Sequence, residues 1–166
     1  MWESPIMVVN LNKGIVTDIA MKKLILHRSC AALFINDLMA FENYFQTKFP
    51  LSFKKFYLQN NGGFTMKKNF LLGSDWHDIH CFLSIRYSNN YIKTIIEIYE
   101  ENMRLKNFPK RFVPFAIDQG GNFYTIDISP GNYGKIYMWF HDISYDEPLV
   151  FVIDNFDNLI KCINNE

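Results

Sequence analysis

Apolar residues recur at helical spacing in four stretches of the chain. Leu38, Phe41 and Phe45 mark the first, with Asn36 or Asp37 as its expected cap. Phe53, Phe56 and Tyr57 mark the second, which Pro50 opens, Ser52 is expected to cap, and Asn61-Gly62-Gly63 closes. Residues 89–105 form the third, with Ile92, Ile95, Ile96, Tyr99 and Met103 on one face and Asn89 or Asn90 at its start. Phe156, Leu159, Ile160 and Ile163 form the last, with Asp154 as its expected cap.

Between these lie extended segments. Short ones fall around "FLLG" and "HCFLSI" within 64–87. Three longer ones cover about 112–117, 122–128 and 135–140, joined by the turn-rich stretches "DQGG" and "SPGNYG", so they are expected to pair antiparallel as a meander. "LVFVI" after Pro148 reads as another strand. This order lacks the regular alternation of a parallel sheet and predicts an α+β domain. The N-terminal part is ambiguous: "PIMVVNLNKGIVTD" suits a β-hairpin, and "IAMKKLILHRSC" suits either a short helix or a strand.

The chain has 166 residues, enough for one domain with a substantial core. Charge changes the picture more than composition does. Lysine and arginine balance aspartate and glutamate at seventeen each, which does not suit a dedicated nucleic-acid binder. Yet residues 1–70 carry a net charge of +5 and residues 136–166 a net of −5. Cys30, Cys81 and Cys162 are odd in number and form no CxxC pair, which favours free thiols in a reducing compartment. No secretory leader is read at the N-terminus and no apolar run approaches the roughly 18–20 residues of a membrane span. The expectation is a cytoplasmic protein without a membrane segment.

Three stretches offer candidate chemistry. "DQGGN" has the glycines of a phosphate loop, but they fall between two strands, where no helix N-terminus meets an anion. It reads as a turn in which Gly120 or Gly121 has positive φ and Asp118 and Asn122 bond the turn backbone. "DWHDIHC" gathers Asp75, His77, Asp78, His80 and Cys81, all possible metal ligands, but lacks a second cluster to complete four-coordination. "WFHD" sets His141 beside Asp142, with no nucleophile motif to match. Asp118 and Asp127 are a further candidate, a carboxylate pair across the hairpin. The aromatic residues Phe123, Tyr124, Tyr137, Trp139 and Phe140 crowd the meander and are expected mostly in the core or in cross-strand pairs.

Taken together, three separated segments resemble the SUKH superfamily, which contains fungal cell-wall-synthesis regulators and many bacterial toxin-immunity proteins. Members show a stretch like LPxxYKxFLLxxNGG; here it is "FPLSFKKFYLQNNGG", with Pro50, Asn61, Gly62 and Gly63 in place. After a variable region and a helix comes PFAxDGGGNxYxxDxS…GxVYxWxHD; here it is "VPFAIDQGGNFYTIDISPGNYGKIYMWFHD", with Pro114, Asp118, Gly120, Gly121 and Asn122 in place. The closing "FVIDNFDNLIKCI" resembles the family's last helix. Gln119, Phe49 and Phe53 depart mildly from the usual residues. The resemblance spans about 33–163, leaving 1–32 as an N-terminal extension and 33–166 as the domain. It implies a curved, largely antiparallel sheet flanked by helices, no enzyme and no cofactor. It implies a protein partner such as a polymorphic toxin domain, often a nuclease, with no direct nucleic-acid or membrane contact; regulators and scaffolds of the same fold are the alternative. The expected partner-binding residues are Trp139, His141, Asp142, Asp146 and Glu147. A metal or small-ligand site at His77, His80 and Cys81 is the reading from another class.

Overall fold

A computed structural model describes residues 24–66, 69–105, 108–141 and 148–164. Within them the order is β1 (Leu26–His27), α1 (Ile35–Phe45), α2 (Leu51–Gln59), β2 (Gly63–Thr65), β3 (Phe70–Leu72), β4 (Asp75–His77), β5 (Cys81–Phe82), α3 (Ile95–Leu105), β6 (Phe112–Ile117), β7 (Phe123–Asp127), β8 (Ile136–Trp139), β9 (Leu149–Ile153) and α4 (Phe156–Asn164). Seven strands form one open sheet in the order β1-β2-β5-β6-β7-β8-β9, and every pair in it is antiparallel. β3 and β4 form a separate hairpin. The architecture is α+β, as the order of elements predicts. The N-terminal hairpin proposed for "PIMVVNLNKGIVTD" lies outside the described residues. The described part of the stretch after it, residues 24–30, contributes β1.

Both faces of the central strands are covered. On β8, Ile136 and Met138 enter a large core with Phe41, Phe53, Tyr57 and Phe156 from the helices. The alternate residue Trp139 enters a second cluster with Phe108 and Phe112, against which Tyr99 and Met103 of α3 pack. Successive side chains on a strand point to opposite faces, so two covered faces demand nearly continuous apolar runs. The sequences "FVPFAI" and "IYMW" are such runs.

Pro114 sits inside a central strand, where a missing N–H would ordinarily break the ladder. The pairing of β6 with β7 shifts register between Pro114 and Ala116, so Phe115 is bulged. The Phe115 carbonyl faces β5, where it accepts from Leu83 N–H at 2.8 Å and from the buried Tyr57 hydroxyl at 3.1 Å. The Tyr57 bond ties α2 to the sheet beside the bulge.

Helix starts differ from the pattern's expectations. α1 begins at Phe34, whose N–H donates to the Asp37 carboxylate at 2.8 Å; Asp37 reaches back from within the first turn instead of standing at the cap. α2 is capped by Pro50, not Ser52. α3 starts at Thr94, not near Asn89: Glu97 accepts from Thr94 N–H at 2.7 Å and Thr94 Oγ1 accepts from Glu97 N–H at 3.2 Å, a capping box. Asn89 instead turns the preceding loop by accepting from the N–H groups of Tyr91 and Ile92. α4 is capped by Asn155, which accepts from Asn158 N–H at 2.9 Å, and not by Asp154.

The segment after α2 also works differently. The cap residue Asn60 is extended, so the glycines are not the helix stop. Gly62 has φ +71°, and a Cβ there would lie 2.9 Å from Phe82 O and Ser84 N. Glycine is needed because β2 passes directly against the backbone of β5. Asn61 is buried beside it. Its amide donates to Ala31 O at 2.8 Å and Arg86 O at 2.6 Å, and its carbonyl accepts from Ile85 N–H at 2.9 Å.

Candidate interaction face at the end of the sheet

The stretches "DQGGN" and "DWHDIHC" and His141 of "WFHD" converge at one end of the sheet. The turn between β6 and β7 is closed by Asp118 N–H to Asn122 O at 3.0 Å and Gly121 N–H to Asp118 O at 3.3 Å. The Asp118 carboxylate accepts from Asn122 N–H and from the Asn122 side-chain amide, each at 2.8 Å. Of the two glycines it is Gly121 that has positive φ, +85°. The turn is therefore built as the sequence predicts, by its own Asp and Asn side chains.

Asn122 also orders His141. Its Nδ2 is committed to the Asp118 carboxylate, so Oδ1 is the atom that faces His141, 3.1 Å from Nδ1 and 3.3 Å from the backbone N–H. An amide oxygen only accepts, so Nδ1 of His141 holds the proton. A Cβ on Gly121 would come within 3.4 Å of the same imidazole.

The hairpin β3–β4 is pinned to this end from the other side. Asp78, just after β4, accepts the N–H of Gln119 at 2.8 Å. His77 lies 3.3 Å from the Tyr124 hydroxyl and stacks on Phe70, which is buried. Burial holds the His77 imidazole below its ordinary pKa, against the opposing pull of Asp75 and Asp78. The opposite face of the hairpin carries the directly paired Leu71 and Trp76. They are 41% and 68% exposed, so a tryptophan and a leucine stand side by side in water on a fixed support.

Trp76 was hidden in the sequence by its neighbours, which suggest metal ligation. The structure does not bring those neighbours together. His77 faces Tyr124, His80 packs edge-on to Phe64, and Cys81 is buried, its thiol pushed up to about 12 by burial. Among the described residues no group of three His, Cys, Asp or Glu is placed to hold a metal ion.

The other expected site residues are distributed as follows. Trp139 is only 6% exposed and packs edge-on to Phe108, 4.9 Å between ring centroids, so it is a core residue and not a surface anchor. His141 lies at the sheet end just described. Asp142, Asp146 and Glu147 lie outside the described residues. Asp118 and Asp127 do not form a pair: β6 runs antiparallel to β7 with Ile117 opposite Phe123 and Phe112 opposite Asp127, which puts the two carboxylates at opposite ends of the hairpin. Asp127 is buried and accepts from Ser129 N–H and Oγ at 2.8 and 2.6 Å, with Arg111 Nε 3.5 Å away. Ser129 is thus engaged as a turn-former.

Residues 35–162 match the SMI1 / KNR4 family (SUKH-1). The chain belongs to this family. The SUKH family includes toxin-immunity proteins. A stretch of 95 residues, 57% of this chain, is also 29% identical to the SPbeta prophage-derived uncharacterized protein YokK of Bacillus subtilis (strain 168). The match spans 45% of that relative's length. In the SUKH frame, the matched region contains the converging stretches and the hairpin with Trp76. No helix among the described residues is long and apolar enough to cross a membrane.

Proposed function

We propose that this chain is a non-catalytic protein-binding module, an immunity protein that neutralises a toxin domain by covering it. The observation that carries the reading is the Leu71–Trp76 pair. Tryptophan is enriched among residues that dominate binding energy, and it works best on a support that does not move. Here the support is fixed by Asp78 on Gln119 N–H and by His77 against Tyr124. Family membership supports a protein partner. The acidic C-terminal fifth, net −5, suits a basic partner such as a nuclease and would speed its approach. The same reading puts the protein in the cytoplasm, where its toxin would act, and extends the contact surface to His141 and to Asp142, Asp146 and Glu147.

The test is co-purification from the native host, followed by toxicity rescue. A stoichiometric partner whose toxic domain is silenced by the wild-type chain, and much less by Trp76→Ala, is the expected result. Recovery of host enzymes or signalling proteins instead would replace the immunity reading with a regulatory or scaffolding one. A salt-insensitive association rate would remove the electrostatic part.

A further inference from the structure

Among the described residues β9 is the outermost strand of the sheet, and its outer edge is suited to take another strand. Phe140 N–H donates to Pro148 O at 2.8 Å, and Met138 is the partner of Val150. In an antiparallel ladder, bonded and non-bonded pairs alternate, so Val150 faces β8 with both backbone groups. Leu149 and Phe151 therefore aim their N–H and C=O groups away from the sheet. Among the described residues none accepts or donates on that side. The pairing then skips from Tyr137–Phe151 to Ile136–Ile153, which bulges Val152 and ends the regular edge there. Phe151 is 50% exposed, with its ring 5.6 Å from that of Tyr137 on the same face.

Proteins ordinarily blunt such an edge with lysine, an inward charge, proline or a bulge; here Pro148 and the Val152 bulge bound the edge, and the stretch between them, Leu149–Phe151, is left regular. β9 is "LVFVI", without a charge. Asp154 is exposed directly after the strand, and in sequence the segment 136–166 that contains β9 has six Asp/Glu and one Lys. A second copy would bring two such segments together, with like charges facing. A segment with basic ends would not.

We propose that Leu149–Phe151 is a strand-addition site for an extended polypeptide with a β-branched centre and Lys/Arg flanks. The partner's backbone would pair with the outward amides and carbonyls of Leu149 and Phe151, and its side chains would lie beside Phe151 and Tyr137. The site lies on a different element from the Trp76 hairpin and stands whether or not the partner is a toxin.

The test uses a capped peptide with a Thr-Val-Thr-Val-Thr centre and two lysines at each end, titrated into the full-length 15N-labelled chain at low salt. The expected result is perturbation of Leu149 and Phe151 together, with their amide exchange slowed about tenfold or more, and binding about tenfold weaker for the glutamate-ended twin. Phe151→Pro removes an outward N–H without touching the β8 ladder and should abolish binding, whereas Phe151→Val should retain it. Equal binding by Phe151→Pro, equal binding of the two peptides, or shifts confined to other strands would overturn the proposal. So would concentration-dependent dimerisation of the free chain through β9.

Discussion

The Asp78 carboxylate accepts the backbone N–H of Gln119 at 2.8 Å. This one bond joins the hairpin, forty-one residues earlier in the chain, to the turn that carries the glycine pair. Replacing Asp78 by Ala leaves a turn N–H without its charged acceptor. We expect a loss of about 1–2 kcal/mol in urea denaturation, with the amide of Gln119 moving most in an 15N spectrum. A spectrum that changes only around residue 78 would show that the bond does not hold the turn.

The two glycine-dependent sites should rank clearly. Gly121→Ala pays left-handed strain of about 1–2 kcal/mol and presses lightly on His141. Gly62→Ala has the same strain and drives a methyl into the backbone of Phe82–Ser84. Melting temperatures should therefore fall in the order wild type, Gly121→Ala, Gly62→Ala. The reverse order would contradict the close passage of β2 against β5.

Asn61 replaces the missing hydrogen bonds of three backbone groups at once. Asn61→Ala should cost about 3 kcal/mol, since each net bond is worth about 1 kcal/mol and the freed groups are screened from water. A denaturation midpoint close to wild type would mean that water takes over all three.

Trp139 and Trp76 allow a direct contrast between core and surface. Trp139→Ala should destabilise by about 3–5 kcal/mol by emptying the cluster around Phe108. Trp139→Phe should be mild, because the indole N–H has no acceptor among the described residues. Trp76→Ala should leave stability within about 0.5 kcal/mol of wild type. It should nevertheless weaken a bound partner by about 2 kcal/mol, roughly thirtyfold in Kd. Calorimetry with the purified partner decides this.

Acid should act through α1. Burial opposes the charge of Glu42, but Lys48, the Phe49 N–H and Lys54 outweigh it and hold the carboxyl below its ordinary value of 4.5. Asp37 is lowered in the same direction, chiefly by the Phe34 N–H. A carboxyl depressed in the folded state contributes stability above its unfolded pKa and loses it as pH falls through the folded value. Stability should thus be level near neutrality and fall below about pH 4.5. Glu42→Gln should be less stable at pH 7 and should flatten that acid slope; an unchanged slope would assign it to other groups.

How much of this was legible depends on how local the cause is. The meander was readable because Asp118, Asn122 and the glycines specify their turn within five residues. The α3 start was also written locally, as Thr94-x-x-Glu97, but the apolar Ile92 extends the helical pattern backwards and obscures it. The α1 cap was not readable, since Phe34 has no capping side chain and Asp37 supplies the bond from inside the helix. Trp139 stood in two readings, among aromatics expected mostly in the core and among partner-binding residues; its burial agrees with the first, and the cover that decides it comes from α3 and Phe108, remote in sequence. Trp76 was missed because its neighbours look like metal ligands, and only the register with Leu71 turns the tryptophan outward.

β2 and β5 are hydrogen-bonded neighbours, although the chain leaves the sheet between them to build the β3–β4 hairpin. The excursion therefore departs from and returns to adjacent ladder positions. Its inner residues, Phe70 and His77, are fixed by the scaffold, while Leu71, Trp76 and the Gly73-Ser74 tip touch little else. The hairpin has the geometry of an exchangeable cassette. Substitutions on its outer face should therefore cost the seven-stranded scaffold little, so what the hairpin presents to solvent can change residue by residue while the fold stays the same.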